Sequence, residues 1–341
     1  MTHSALPFAA ALTLGLASTG CINAILADGQ ISATREASDA FNVIGDYELA
    51  RSAAQAGLVQ FEGMHRLRPN NTDGLFLLTQ AWVGYGFAFP QDDYEDAVDR
   101  NDEDAAQYHK KRTSLAYDRA VFFGLELLSH TDKGFATAKR NDETIKKWLN
   151  ANFTSKDDAL NLFWAGYAWL ARVDLNKENP ELVADLFLGV DMIERSVAID
   201  PTLEHWSGTV ALAAYHARPA GEPEQSKQMF EAALAKTERK NLIVQFTYAV
   251  SYACAKGDRG LYESLLNEVI AAQDPDPNQR LTNMMAKRRA KRFLGKQRMM
   301  DCGFDMSSKA APKPAAAPVP APPAPPPAPT PPPAPPAKPA K

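Results

Sequence analysis

The acidic side chains that follow Pro90 are the residues of this 341-residue chain whose chemistry first suggests a function. Clustered carboxylates can hold a calcium ion. The run comprises Asp92, Asp93, Glu95, Asp96, Asp99, Asp102, Glu103 and Asp104. An EF-hand loop also needs a central glycine and a terminal glutamate at fixed spacing, and neither is in place here. The run is therefore predicted to be a solvated loop or helix face without a metal.

Catalytic motifs give little support for an enzyme. The six histidines are scattered along the chain, and no HExxH, GxSxG, P-loop or GxGxxG sequence occurs. Carboxylates are abundant, but nothing singles out an acid and a base. The chain is predicted to be a non-enzyme without a cofactor, and a hydrolase inside a helical shell ranks last. The net charge of -4 gives no electrostatic case for nucleic acid as a partner.

Aromatic side chains form the second group with a chemical use. The stretch WVGYGFAF places Trp82, Tyr85 and Phe89 on one face of a predicted helix, and NLFWAGYAWL does the same for Trp164 and Tyr167. An aromatic stripe at helical spacing is typical of a core, which is the first interpretation. The alternative is that these five side chains line a concave apolar ligand cleft on two successive helices.

The elements that must position these side chains are helices. Residues 42–302 show repeated helical periodicity and almost no strand-like alternation. Pro201 and Pro275 end similar helices 74 positions apart (275 − 201), and a third such end lies between them near Thr237. Two units of about 37 residues are close to the roughly 34 of a tetratricopeptide repeat. An all-α, tetratricopeptide-like helix-pair solenoid is therefore predicted for residues 42–302.

Two segments depart from this regular pattern. Between Asp92 and Lys156 the periodicity predicts an irregular helical insertion, with a long helix over Ala105–Ser129 and a short one over Asp142–Ala151. Near the end of the domain seven cations occur without an acid: Lys287, Arg288, Arg289, Lys291, Arg292, Lys296 and Arg298. They favour a capping helix with a polar outer face. Contact with anionic lipid or an acidic partner protein is the alternative.

The beginning of the chain is typical of a lipoprotein signal peptide. Residues 5–18 form an apolar run too short to span a bilayer, and small residues lead to Cys21. This resembles a bacterial lipobox, so residues 1–20 should be removed and Cys21 acylated. An ordinary signal peptide followed by a chance cysteine is the alternative. Ile22 is not the aspartate of an inner-membrane retention signal, which favours the outer membrane, facing the periplasm.

The sequence also allows predictions for the two remaining cysteines and for the segments on either side of the helical domain. Cys254 lies in an apolar helix and is predicted to be a buried free thiol, although an oxidising compartment would permit a disulfide with Cys302. Residues 21–41 are predicted to be an anchor linker. Residues 303–341 are predicted to be a disordered tail, in which the Pro/Ala-rich sequence from Ala310 to Lys341 favours an extended polyproline spacer with a reach of roughly 90 Å. The tail could be a tether or have no partner.

Several stretches together resemble one family. They are the lipobox at Cys21, QAWVGYGFAFPQDDYEDA, KNLIVQFTYAVSYACAKGDRGLYESLLNEVIAA and NQRLTNMMAKRRAKRFL. The pattern is similar to the T component of tripartite ATP-independent periplasmic (TRAP) transporters, a tetratricopeptide-repeat lipoprotein, over roughly residues 21–295. The Pro/Ala-rich tail falls outside it, and Pro90 stands where an aliphatic residue is expected.

The resemblance implies a periplasm-facing accessory of a transporter. Its expected partner is the transporter's solute-binding protein, reached through a homo-oligomer such as a trimer with a central pore. It also implies a hydrophobic or organic-acid ligand in an apolar cleft. The competing hypothesis is a repeat scaffold for envelope assembly with no small-molecule role.

Overall fold

The computed structural model describes residues 23–306, and within this range the chain forms helices and no β-strand. In chain order the helices are α1 (23–36), α2 (Tyr47–Leu67), α3 (Thr72–Ala88), α4 (Pro90–Asp99), α5 (Glu103–Thr131), α6 (Phe135–Ala138), α7 (Asp142–Asn152), α8 (Lys156–Leu175), α9 (Pro180–Ala184), α10 (Leu186–Ile199), α11 (Leu203–His216), α12 (Pro223–Lys236), α13 (Leu242–Thr247), α14 (Arg259–Ala271), α15 (Arg280–Phe293) and α16 (Lys296–Asp301). Turns of 3-10 or π helix cover Ser38–Val43, Tyr248–Ala253 and Pro277–Gln279. The predicted all-α fold is confirmed.

Successive helices stack as in a solenoid, and the last long helix returns to the first ones. Helices α3, α5 and α8 pack on one another, α8 packs on α10, and α11 packs on α12. The backbones of α8 and α10 approach closely at Gly166, where an added Cβ would lie 3.0 Å from the Gly189 carbonyl oxygen. Helix α15 contacts α2 and α4, so the two ends of the array meet. None of the described helices has both the length and the apolar character needed to cross a bilayer.

The irregular insertion is helical, as predicted. The expected helix over Ala105–Ser129 is α5, and the expected one over Asp142–Ala151 is α7. Pro90 does not leave a loop after the aromatic stretch. It occupies the first turn of α4, where its missing N–H has no intrahelical partner to lose, so one helix follows another directly.

The predicted anchor linker over 21–41 is wrong for its described part, which is helix α1 followed by the 3-10 turn. Ile31 is 1% exposed and packs against Gly74 at the start of α3. Arg68 donates two hydrogen bonds to the carboxylate of Asp28, at 2.7 and 2.6 Å. Helix α1 is therefore part of the domain. The predicted signal peptide, Cys21 and residues 307–341 of the predicted tail lie outside the described residues.

The C-terminal boundary and the cysteine prediction also need correction. Cys254 is not a free thiol: it forms a disulfide with Cys302, and their Cα atoms lie 4.9 Å apart. Beyond the bridge, Phe304 is 6% exposed and its ring packs on Tyr262 at 5.1 Å. The folded domain therefore continues past residue 302, because burying an aromatic side chain fixes the segment that carries it.

The acidic run of α4 and the basic run of α15 form ion pairs with each other inside the domain. For the central residues of the two runs, the predictions of a solvated acidic face and of a capping helix with a polar outer face are therefore both wrong. Asp92 on α4 is 3% exposed, and Arg289 on α15 is 2% exposed. Arg292 bridges the carboxylates of Asp92 at 2.5 Å and Glu95 at 2.7 Å. We call these residues, with Arg288, the α4–α15 clasp. Buried charges require such partners, and here the partners join the two ends of the array.

Candidate functional site

Helices α3 and α8 lie side by side and bring the two predicted aromatic groups together. Trp82 and Trp164 pack on the same apolar cluster, which contains Leu75, Phe76, Leu78, Phe123 and Leu127. Further along the helices, the rings of Phe87 and Tyr167 meet edge to face with centroids 6.4 Å apart. Trp82, Tyr85, Trp164 and Tyr167 are all half-buried, so each keeps a solvent-accessible part. We call these four residues the aromatic wall.

Phe89 does not belong to the aromatic wall, contrary to the prediction. It is 1% exposed, and its ring packs on that of Tyr47 at 5.2 Å. Phe89 ends α3 and precedes α4, so its side chain turns toward α2 and into the core. Phe87, which lies off the predicted face, contacts Tyr167 in its place.

The indole N–H or hydroxyl groups of three wall residues form hydrogen bonds with other side chains of the same chain. The indole N–H of Trp82 donates to Glu62 at 2.9 Å, and the hydroxyl oxygen of Tyr85 accepts from Arg112 at 2.7 Å. The indole N–H of Trp164 donates to Glu204 at 3.2 Å. Buried or half-buried Trp and Tyr usually find such partners, which fixes the orientation of their rings.

Tyr167 is the exception among the wall residues. Its ring stacks on Phe163 with centroids 5.7 Å apart, but its hydroxyl makes no hydrogen bond to any residue in the range 23–306. Burial raises the pKa of this phenol, Arg289 opposes the rise, and the hydroxyl stays protonated at neutral pH. The aromatic wall therefore presents one free hydroxyl that can donate to or accept from a ligand.

Glu204 adds a carboxylate beside the wall that sequence reasoning missed. It belongs to a left-handed turn in which φ is 48° at Glu204, 54° at His205 and 70° at Trp206. Non-glycine residues rarely adopt this conformation, which costs of order 1–3 kcal/mol each. Ser207 donates to the Glu204 carbonyl at 2.5 Å, and Asn241 donates to the His205 carbonyl at 3.1 Å. These two hydrogen bonds stabilise the left-handed turn. The sequence contains no glycine or turn motif there that would have predicted it.

A surface groove of about 300 Å³ adjoins the same turn, on the side of His205 and Trp206. Its walls are largely polar, and they are formed by Thr202, His205, Trp206, Lys236, Thr237, Glu238, Lys240, Asp276 and Gln279. The groove does not include the aromatic wall. In the range 23–306 no three His, Cys, Asp or Glu residues are grouped as a metal site would require.

Replacing Glu204 by Gln should stabilise the protein at high pH. Burial raises the pKa of Glu204 to about 7, Trp164 opposes the rise, and Asp39 adds to it. The folded state therefore binds a proton that the unfolded chain has lost, and stability falls as the pH rises from about 4.5 to 7. After discounting for partial exposure, we expect a gain of about 1–2 kcal/mol at pH 8 and almost none at pH 4.

Thermal unfolding at the two pH values measures this gain. Glu181→Gln is the control, because Glu181 is an exposed residue of α9. An equal gain for Glu204→Gln at both pH values would contradict the assignment of the effect to ionisation.

A comparison with protein families adds the decisive observation. A family model described as TRAP transporter T-component matches residues 45–300. The chain belongs to this family. The resemblance predicted from the sequence is thereby confirmed, and the match runs from the start of α2 to α16. No curated protein matches the chain.

Family membership gives the T-component a coarse function, that of an accessory of a TRAP transporter. The matched range includes the aromatic wall, the left-handed turn and the α4–α15 clasp. The absence of catalysis, the lipid anchor and the identity of partners stay predictions.

Proposed function

We propose that this T-component is a periplasm-facing lipoprotein that binds the solute-binding protein of its TRAP transporter and holds a hydrophobic or organic-acid ligand at the aromatic wall. The observation that carries the ligand proposal is the free hydroxyl of Tyr167 among half-buried aromatic rings. Apolar surface with a few placed polar groups is typical of small-molecule sites.

The proposed location rests on two independent supports. Cys21 follows a sequence that resembles a lipobox, and acylation there would anchor the chain to the outer membrane. The disulfide between Cys254 and Cys302 favours an oxidising compartment such as the periplasm. The family membership supports association with a transporter, and we extend it to the solute-binding protein and to a homo-oligomer such as a trimer.

The second candidate function is a tetratricopeptide-type scaffold for envelope assembly without a ligand. The hydrogen bonds of Trp82, Tyr85 and Trp164 favour this scaffold function. The polar groups of all three side chains already have hydrogen-bond partners inside the chain, as they would in an ordinary core. Affinity capture of the mature chain without residues 307–341 from its own envelope extract separates the two candidates. A solute-binding protein recovered at near-equal amount supports the transporter role. Recovery of assembly proteins alone supports the scaffold.

Replacing Tyr167 by Phe should weaken ligand binding about tenfold, because one hydrogen bond contributes roughly 1 kcal/mol or somewhat more. The probe is 1-anilinonaphthalene-8-sulfonate, which combines apolar rings with an organic acid, and its fluorescence reports binding. Tyr108→Phe is the control for loss of an exposed hydroxyl, since Tyr108 is 62% exposed on α5 and is not a wall residue. Equal affinities of the two variants, or no binding by the unchanged protein, would count against a ligand at the wall.

A further inference from the structure

Helix α1 fixes the beginning of the described chain to the domain. Besides the two bonds from Arg68, Asp28 accepts a hydrogen bond from Asn71 at 2.8 Å. One residue before the end of α1, Arg35 pairs with Asp73 at 2.6 Å and its guanidinium lies 4.0 Å above the ring of Phe76. Helix α1 is thus held at Asp28 and at Arg35 against the α2–α3 junction and the start of α3, and it cannot serve as a flexible spacer.

The distance between the proposed anchor and this fixed helix is short. Cys21 precedes the first residue of α1, Asn23, by two positions. Two residues of fully extended chain span about 7 Å at most. If Cys21 carries acyl chains, as the proposed function holds, the beginning of α1 must lie at the membrane surface.

The side chains at this place suit an interfacial position. Ile25 is 69% exposed, Leu26 is 65% exposed, and Leu67 at the end of α2 is 74% exposed. Residues 23–27 carry no charge, and the first acid of α1, Asp28, is neutralised by Arg68. Arg68 also directly follows Leu67 in the chain, which places Leu67 at the same end of the domain as Ile25 and Leu26. Arg66 adds an exposed cation.

We propose that Ile25, Leu26 and Leu67, together with Arg66, form a membrane-contact surface that seats the domain on the phospholipid headgroup layer. The apolar side chains enter the boundary between headgroups and acyl chains, and the guanidinium of Arg66 binds anionic headgroups. The end of α2 and the beginning of α3 then face the bilayer. This inference rests on the proposed acylation of Cys21, and the experiment separates the two.

The test compares two fluorescent probes on one helix of the full acylated chain. Leu67→Cys and Val59→Cys are labelled with bimane and reconstituted in vesicles of phosphatidylethanolamine and phosphatidylglycerol that carry a shallow nitroxide lipid. The two sites are matched aliphatic positions, because Leu67 is 74% and Val59 75% exposed, both on α2. They lie eight residues apart, or about 12 Å along the helix. No other thiol reacts, since Cys21 is acylated and Cys254 is bonded to Cys302.

The proposal predicts several-fold stronger quenching at position 67 than at position 59. Adding Ile25→Ser and Leu26→Ser should reduce the quenching at 67 while the protein still floats with the vesicles. Flotation with weak, equal quenching at both positions would overturn the surface and leave the anchor intact. A chain that does not float would refute the anchor and the surface together. A blue shift of the bimane emission at position 67 that occurs without vesicles and increases with protein concentration would overturn the proposal. It would show that the surface contacts a second copy of this chain instead.

Discussion

Replacing Asp92 by Ala should lower the free energy of unfolding by about 3–5 kcal/mol. The substitution removes the nearest carboxylate of Arg292, at 2.5 Å, from a place where little water can replace it. Glu95 alone then lies close to both Arg289 and Arg292, and breaking a buried ion pair in this way is strongly destabilising. It also removes one of the two acceptors within reach of the Tyr47 hydroxyl, which lies 3.0 Å from Asp92 and 2.9 Å from the Ala88 carbonyl oxygen. The expected result is a large drop in the urea midpoint of unfolding, with loss of the contact between α15 and α4.

Asp96→Ala is the matched control for this loss. Asp96 lies one turn further along α4, and it pairs with Arg100 at 3.0 Å while 49% of its side chain stays exposed. Exposed pairs of this kind contribute well under about 1 kcal/mol. Similar losses for the two variants would mean that the α4–α15 clasp contributes no more than a surface ion pair, and the closure of the array would need another cause.

The α4–α15 clasp should also make the free energy of unfolding fall at acid pH, where Asp92 becomes protonated. Burial by itself would raise the pKa of Asp92, but Arg292 and Arg289 outweigh it and hold the pKa below its ordinary value. The folded state therefore favours the charged carboxylate, and its contribution is complete above about pH 4 and lost as the pH falls further. The acid limb of the stability curve should be flatter in Asp92→Asn than in the unchanged protein, which acid titration of unfolding measures.

The charge runs illustrate where sequence reasoning succeeds and where it ends. Helical periodicity located α5 and α7 to within about two residues, because the pattern and the element are both local. The partner of Asp92 is Arg292, 200 positions away, and spacing within either run carries no information about that distance. Each run taken alone has the composition of a solvated face. Only the return of α15 to α4 turns them into a buried pair.

In the candidate site, too, some residues could be predicted from local spacing and others could not. Spacing along α3 and α8 predicted that Trp82 and Tyr85 share one helical face and that Trp164 and Tyr167 share another, since these helices are regular, and their role in a ligand cleft stays a prediction. It failed at Phe89, because the turn into α4 rotates the last aromatic residue away from the helical face. It also missed Glu204, whose left-handed turn is held in part by a distant side chain, since Asn241 donates to the His205 carbonyl.

The disulfide should be the second large contributor to stability. It closes a loop of 48 residues between Cys254 and Cys302, and removing the cross-link from the unfolded chain should cost about 4 kcal/mol on the chain-entropy model. We expect Cys302→Ser to lower the free energy of unfolding by about 3–4 kcal/mol in urea. A reducing agent should produce the same loss in the unchanged protein and no further loss in the variant.

The loss should be concentrated at the C-terminal end of the domain, because Cys302 directly follows the short helix α16. Helix α16 has six residues, and its other attachments include the buried side chain of Met299 and the pairing of Arg298 with Asp99. In Cys302→Ser, limited proteolysis should therefore cut within residues 296–306 before the rest of the domain opens. The double variant Cys254→Ser, Cys302→Ser separates loss of the cross-link from the burial of one unpaired thiol. If reduction changed neither the urea midpoint nor the first cleavage site, α16 would be held by its side-chain contacts alone.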